Sequence, residues 1–139
     1  VPGLASLLIV ASAAIVFVLG ALHLLYTFRG RKLHPRDAET LRAMQQSTLW
    51  ITRRATVWQT WIGFNASHSV GLVLFALIYG YLALAAPGLL FGSLFLRGVG
   101  LALLLAYVVV ARRYFFSVPF RGVVLATAFF MAGLVVGSF

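Results

Sequence analysis

The sequence predicts an all-α fold, a bundle of four transmembrane helices with an amphipathic helix between the first and the second. Three observations predict it. Hydrophobic residues make up 63% of the 139-residue chain and mean hydropathy is +1.04, well beyond the roughly half expected of a soluble domain. Apolar runs of about 20 residues, the length a spanning helix needs, recur along the chain. Of the eleven Lys and Arg residues, all but Arg97 fall in two clusters between those runs: Arg29, Arg31, Lys32, Arg36, Arg42, Arg53 and Arg54, then Arg112, Arg113 and Arg121. Basic residues gather in this way in cytoplasmic loops, so both termini are expected outside.

The elements follow in order within one transmembrane domain, 1–139. The first span, 4–28, ends where Arg29-Gly30-Arg31-Lys32 makes the bilayer interior too costly. It lacks a basic leading segment and exceeds a signal-peptide core, so it is expected to be retained. A cytoplasmic helical loop over about 35–54 opens with Pro35, Asp37 and Glu39, residues suited to a first helical turn. Leu41, Met44, Thr48 and Ile51 then recur at helical spacing. The second span covers 57–85 and is closed by a turn at Pro87-Gly88. The third covers 89–111. A basic, aromatic loop from Tyr114 to Arg121 leads to the fourth, 122–139.

Composition removes several chemistries. The chain has no cysteine, which excludes disulfides, zinc thiolates, iron–sulfur clusters and thiol nucleophiles. The net charge of +9 is accounted for by membrane orientation, so no nucleic-acid partner is expected; attraction to anionic lipids at the cytoplasmic face is. Asp37 and Glu39 diverge on a helix and make no acid–base pair, and Ser67 and Ser69 point about 100° away from His68. No catalytic residue and no enzymatic activity are expected.

The second span carries most of the polar chemistry. At helical spacing Trp58, Trp61, Asn65, His68, Leu72, Phe75 and Tyr79 form one stripe, while Gly63, Ser67 and Gly71 form another, small enough for a second backbone to approach. Gly98, Ala102 and Ala106 on the third span, and Gly133 and Gly137 on the fourth, repeat that small-residue pattern. His68 and Arg97 are ionisable groups expected within the bilayer, where they must face protein or water. The partners open to Arg97 are the Asn65, Ser67, Ser69 and Ser93 side chains, backbone carbonyls, water, an anionic ligand, a lipid phosphate or another subunit. Together with His23 on the first span, His68, Asn65, Arg97, Trp61 and Tyr79 are the candidates for a ligand site or polar core. No metal site is expected. The one cofactor alternative is haem b between His23 and His68, although their expected depths differ by about a turn or more.

Leu22-His23-Leu24-Leu25-Tyr26-Thr27-Phe28, Thr52-Arg53-Arg54 and above all Gly63-Phe64-Asn65-Ala66-Ser67-His68-Ser69-Val70-Gly71 resemble a family of small uncharacterised bacterial integral membrane proteins. The resemblance implies a four-helix protein of the bacterial inner membrane and supplies no substrate. The leading expectation is a non-enzymatic accessory or interaction subunit that packs against other membrane subunits or against copies of itself. Small-molecule or lipid binding at a midplane polar site, and a haem- or quinone-binding redox subunit, are the alternatives.

Overall fold

The computed structural model describes residues 3–138. Six helices run along them, in the order α1 (Leu4–Phe28), α2 (Ala38–Gln46), α3 (Val57–Ala85), α4 (Pro87–Gly92), α5 (Leu94–Tyr114) and α6 (Ser117–Val136), with a small hairpin, β1 (Thr48–Leu49) and β2 (Thr52–Thr56), between α2 and α3. Four of them, α1, α3, α5 and α6, are long and apolar enough to cross a membrane. The shortest, α6 with 20 residues, is about 30 Å long, the thickness of the hydrocarbon core. The protein therefore has the architecture of a multi-pass membrane protein. The chain divides into two compact units, the smaller being Gly20–Gly71 and the larger comprising the chain up to Leu19 and from Leu72 onward.

In the larger unit, Ile9, Val16, Leu90, Leu104, Ala126 and Phe130 are fully buried and form a core with Phe75, Ala76 and Tyr79. Tyr79 stacks against Phe75 and meets Phe130 edge to face, with ring centroids 4.6 and 5.4 Å away. Its hydroxyl donates to the Leu96 carbonyl at 2.7 Å, which satisfies the one polar atom that an apolar core would penalise. Gly100 lies under these rings: a Cβ there would come within 2.7 Å of Tyr79. Gly122 and Gly133 are filled in the same way by Leu19 and Ile9. Where apolar lipid supplies no drive for helix association, such close fits supply it.

The ends of α5 and α6 differ from the sequence expectation, and so does the start of the third span. Pro87 does not close a turn; it occupies the first turn of the short helix α4, where its missing N–H costs nothing. An extended residue, Ser93, then separates α4 from α5 and accepts a hydrogen bond from the Leu96 N–H at 3.2 Å. The expected 89–111 span is thus a helix–break–helix, and its continuous part starts at Leu94. Only Phe115 and Phe116 join α5 to α6, because Pro119 lies in the first turn of α6, another position where no N–H is required. Helix α6 begins five residues before the expected Gly122 and ends at Val136 with Gly137 as its cap; the expected terminus at Phe139 lies outside the described residues.

In the smaller unit, α1 ends at Phe28 and the chain turns through Gly30, whose φ of +79° is the left-handed conformation that commonly terminates a helix. Asp37 caps α2: one carboxylate oxygen accepts from the Thr40 hydroxyl and N–H at 2.6 and 2.7 Å. The same bonds, the hydroxyl foremost, hold this exposed carboxyl below its ordinary pKa. Helix α2 stops at Gln46 instead of continuing to 54. Thr48-Leu49-Trp50-Ile51-Thr52 is rich in aromatic and β-branched residues, which favour strands, and it folds as an antiparallel hairpin with Thr48 opposite Thr56. The hairpin leads directly into α3 through a reciprocal capping box. Thr56 N–H donates to Gln59 Oε1 at 2.9 Å and Gln59 N–H donates to Thr56 Oγ1 at 3.2 Å.

Candidate functional site

Three of the sequence candidates meet in the smaller unit. Asn65 sits on the inward stripe of α3, and its amide nitrogen donates to the Trp61 carbonyl one turn back at 2.7 Å. That bond fixes the orientation of the amide, because only the nitrogen can donate. The amide oxygen then faces His23 Nε2 of α1 at 2.9 Å. An amide oxygen can only accept, so the proton resides on His23 Nε2. Backbone bonds hold the pair from both sides: Thr27 Oγ1 donates to the His23 carbonyl and Ser69 Oγ to the Asn65 carbonyl, at 2.8 and 2.7 Å. The imidazole of His68 stands edge-on to that of His23, with centroids 5.5 Å apart and planes at 81°.

This cluster pins two helices together through one directed hydrogen bond and one ring contact. Inside an apolar medium such a bond between helices is worth about 0.6 kcal/mol on average and up to about 2 kcal/mol. It does not fit bis-histidine haem ligation. The two rings are at aromatic contact distance, which leaves no slot for a porphyrin plane, and His23 Nε2 is committed to Asn65. Among the described residues no group of three or more His, Asp or Glu side chains could hold a metal ion.

The remaining candidates lie elsewhere. Trp61 is partly exposed and its indole N–H donates to the Leu33 carbonyl at 3.1 Å, fastening the connection after α1 to α3. Tyr79 is a core residue of the larger unit. Arg97 also belongs to that unit and lies in the first turn of α5, since the break at Ser93 moves the start of the helix to Leu94. A span starting at residue 89 would instead set it about two turns from the helix start. Its guanidinium Nη1 makes a long contact of 3.4 Å to Ser138 Oγ, which itself donates to the Leu134 carbonyl. A cation is favoured there, at the C-terminal end of α6, by the helix dipole. The serine side chains expected for Arg97 are engaged otherwise: Ser67 donates to the Phe64 carbonyl, Ser69 to that of Asn65, and Ser93 caps α5.

Comparison with known proteins finds no matching family model, no similar curated protein and no similar solved structure.

The small-residue positions divide into two groups. Gly133 and Gly137 are occupied by Ile9 and Phe91 of the same chain. Gly63, Ser67 and Gly71, by contrast, are exposed, and a Cβ added to either glycine would meet nothing within 4 Å. Gly98, Ala102 and Ala106 on α5 are exposed as well, with open space at Gly98. Sequence reasoning missed Gly100 and Gly122, both tightly packed; the signal for Gly100 is the need of Tyr79 and Phe130 for a hollow, and that for Gly122 is the small, fully buried Ala126 one turn further along α6.

Sequence reasoning also missed a groove of about 440 Å³ in the smaller unit, lined by Lys32, Leu33, His34, Pro35, Met44 and Trp61. The Lys32 ammonium lies 3.8 Å from the centre of the Tyr26 ring, and His34 meets Trp58 edge to face at 4.8 Å. Its walls come from three separated stretches of chain, and no spacing rule brings those together.

Proposed function

We propose that this chain is a non-enzymatic multi-pass membrane protein whose work is association: it packs against other membrane helices as an accessory subunit or against copies of itself. One observation carries the reading. On α3, Gly63, Ser67 and Gly71 form an exposed stripe at four-residue spacing that no part of the chain's described residues fills, and small residues at that spacing let a second helix approach at backbone distance. The inward stripe of the same helix is already spent on Asn65, Ser69, Phe75 and Tyr79. One face of α3 thus holds the fold and the other is left for a partner.

The basic connections Arg29–Arg54 and Arg112–Arg121 face the cytoplasm in this reading, with both termini outside and anionic lipids of a bacterial inner membrane beside them. In the same reading it is one of the small bacterial membrane proteins that its Gly63–Gly71 segment resembles. Blue-native electrophoresis in mild detergent tests the association. The wild type should migrate as a particle larger than the monomer, and Gly63→Leu with Gly71→Leu should reduce it to a monomer, while Leu77→Ala on another exposed part of α3 should not. A wild type that is monomeric under all gentle conditions contradicts the proposal.

A further inference from the structure

We propose that the groove bounded by Lys32, Leu33, His34, Pro35, Met44 and Trp61 seats the headgroup of an anionic phospholipid. The inference rests on the reading that the α1–α3 connection lies at an anionic bilayer surface, and it assigns to one defined groove what that reading treats as general attraction. The volume, about 440 Å³, falls within the usual size of small-ligand sites. The groove begins four residues beyond Phe28, where the spanning helix α1 ends, and on that reading it lies beside the lipid headgroups.

Its walls have two characters. Leu33, Pro35, Met44 and the ring of Trp61 are largely apolar, whereas Lys32 and His34 carry N–H groups. A free anion gains nothing from the apolar half and a neutral lipid gains nothing from the cationic half, so an amphiphile with a net negative head matches both. The walls are also held in place. The Trp61 N–H is bound to the Leu33 carbonyl, His34 rests against Trp58, and Lys32 is held over Tyr26. A cation–π contact leaves the ammonium with hydrogens to donate. Neither of the chain's two acidic residues, Asp37 and Glu39, lines the groove, and the Asp37 carboxylate is engaged by Thr40.

Of the seven cations in this connection only Lys32 lines the groove, which makes a defined site distinguishable from diffuse attraction. The test uses the full chain in nanodiscs with Trp50→Phe and Trp58→Phe, leaving Trp61 as the fluorophore. Brominated phosphatidylglycerol should quench Trp61 in preference to brominated phosphatidylcholine. Lys32→Gln should reduce that preference about five-fold, the effect of one cation near an anionic surface. Lys32→Arg should restore it, and Arg53→Gln with Arg54→Gln, outside the groove, should leave it intact. Equal losses in the Lys32 and Arg53/Arg54 variants would overturn the groove while leaving diffuse attraction standing. Equal quenching by the two lipids in the unmutated groove would overturn both. Relief of quenching by inorganic phosphate would show a site for a soluble anion and overturn the lipid assignment.

Discussion

The two units treat their small residues in opposite ways. In the larger one, Gly100, Gly122 and Gly133 lie beneath Tyr79 and Phe130, Leu19, and Ile9, so that each missing side chain is replaced by a neighbour's. In the smaller one, Gly63 and Gly71 face open space and the helices are joined by polar groups, His23 to Asn65. Packing alone suffices where large rings can enter a glycine hollow. Where it does not, a directed hydrogen bond supplies the registration and a small-residue face is left over. The larger unit too keeps open positions at Gly3, Gly88, Gly92 and Gly98, the last on the exposed side of α5.

Substitutions sharpen the contrast, and the largest effect is expected at the filled glycines. Gly100→Ala places a Cβ within 2.7 Å of the Tyr79 ring and should cost about 1–3 kcal/mol, the usual penalty of overpacking. Gly63→Ala should stay within about 0.5 kcal/mol, as at an ordinary surface position. Thermal unfolding of both variants in the same detergent checks this, and equal losses would erase the distinction between the units.

Next in size is Asn65→Leu. It removes the bond to His23 and should cost about 1–2 kcal/mol, because the donor on His23 is left unpaired. Tyr79→Phe keeps the ring packing and loses only the bond to the Leu96 carbonyl; about 1 kcal/mol is expected. A loss at Tyr79 much larger than at Asn65 would mean that polar contacts matter more in the larger unit, the reverse of the comparison above.

The smallest effect is local and depends on pH. The Asp37 carboxyl is held below its ordinary pKa by Thr40. The contribution of this cap to α2 is therefore present above the unfolded-state value and is lost as pH falls through the lower folded-state one. The protection of the Thr40 amide, its exchange rate relative to the intrinsic rate at the same pH, should fall on acidification through that window, and Asp37→Asn should remove that change. Protection that stays constant into acid would show that the carboxylate does not hold the helix start.

Much of this arrangement was legible in the chain. Helices α1 and α3 were delimited by sequence because charge stops α1 at Arg29 and Arg53-Arg54 precede α3. The inward stripe of α3 is legible from its 3.6-residue period, but the meeting of Asn65 and His68 with His23 on α1 is not, because counting helical rise sets His23 and His68 about a turn or more apart in depth while the structure brings them together. Proline misled twice. Pro87 and Pro119 fall in stretches that read as a turn and as the Tyr114–Arg121 loop, yet each lies in a first helical turn, where a proline ring is tolerated. Leu41, Met44, Thr48 and Ile51 suggested one long helix because a few apolar residues fit a helical period by chance; the strand preference of Thr48–Thr52 prevailed. The contact of Arg97 with Ser138 was illegible, since 41 positions separate the two.

The central claim is that the Gly63, Ser67 and Gly71 face of α3 is covered by another helix in the membrane. A photoreactive residue placed at position 67 in native membranes, with position 77 as the control on the same helix, tests it most directly. The expected result is discrete crosslinked adducts from position 67, with a second copy or another membrane protein, and none from position 77. No adduct from position 67, or equal adducts from both, would contradict it.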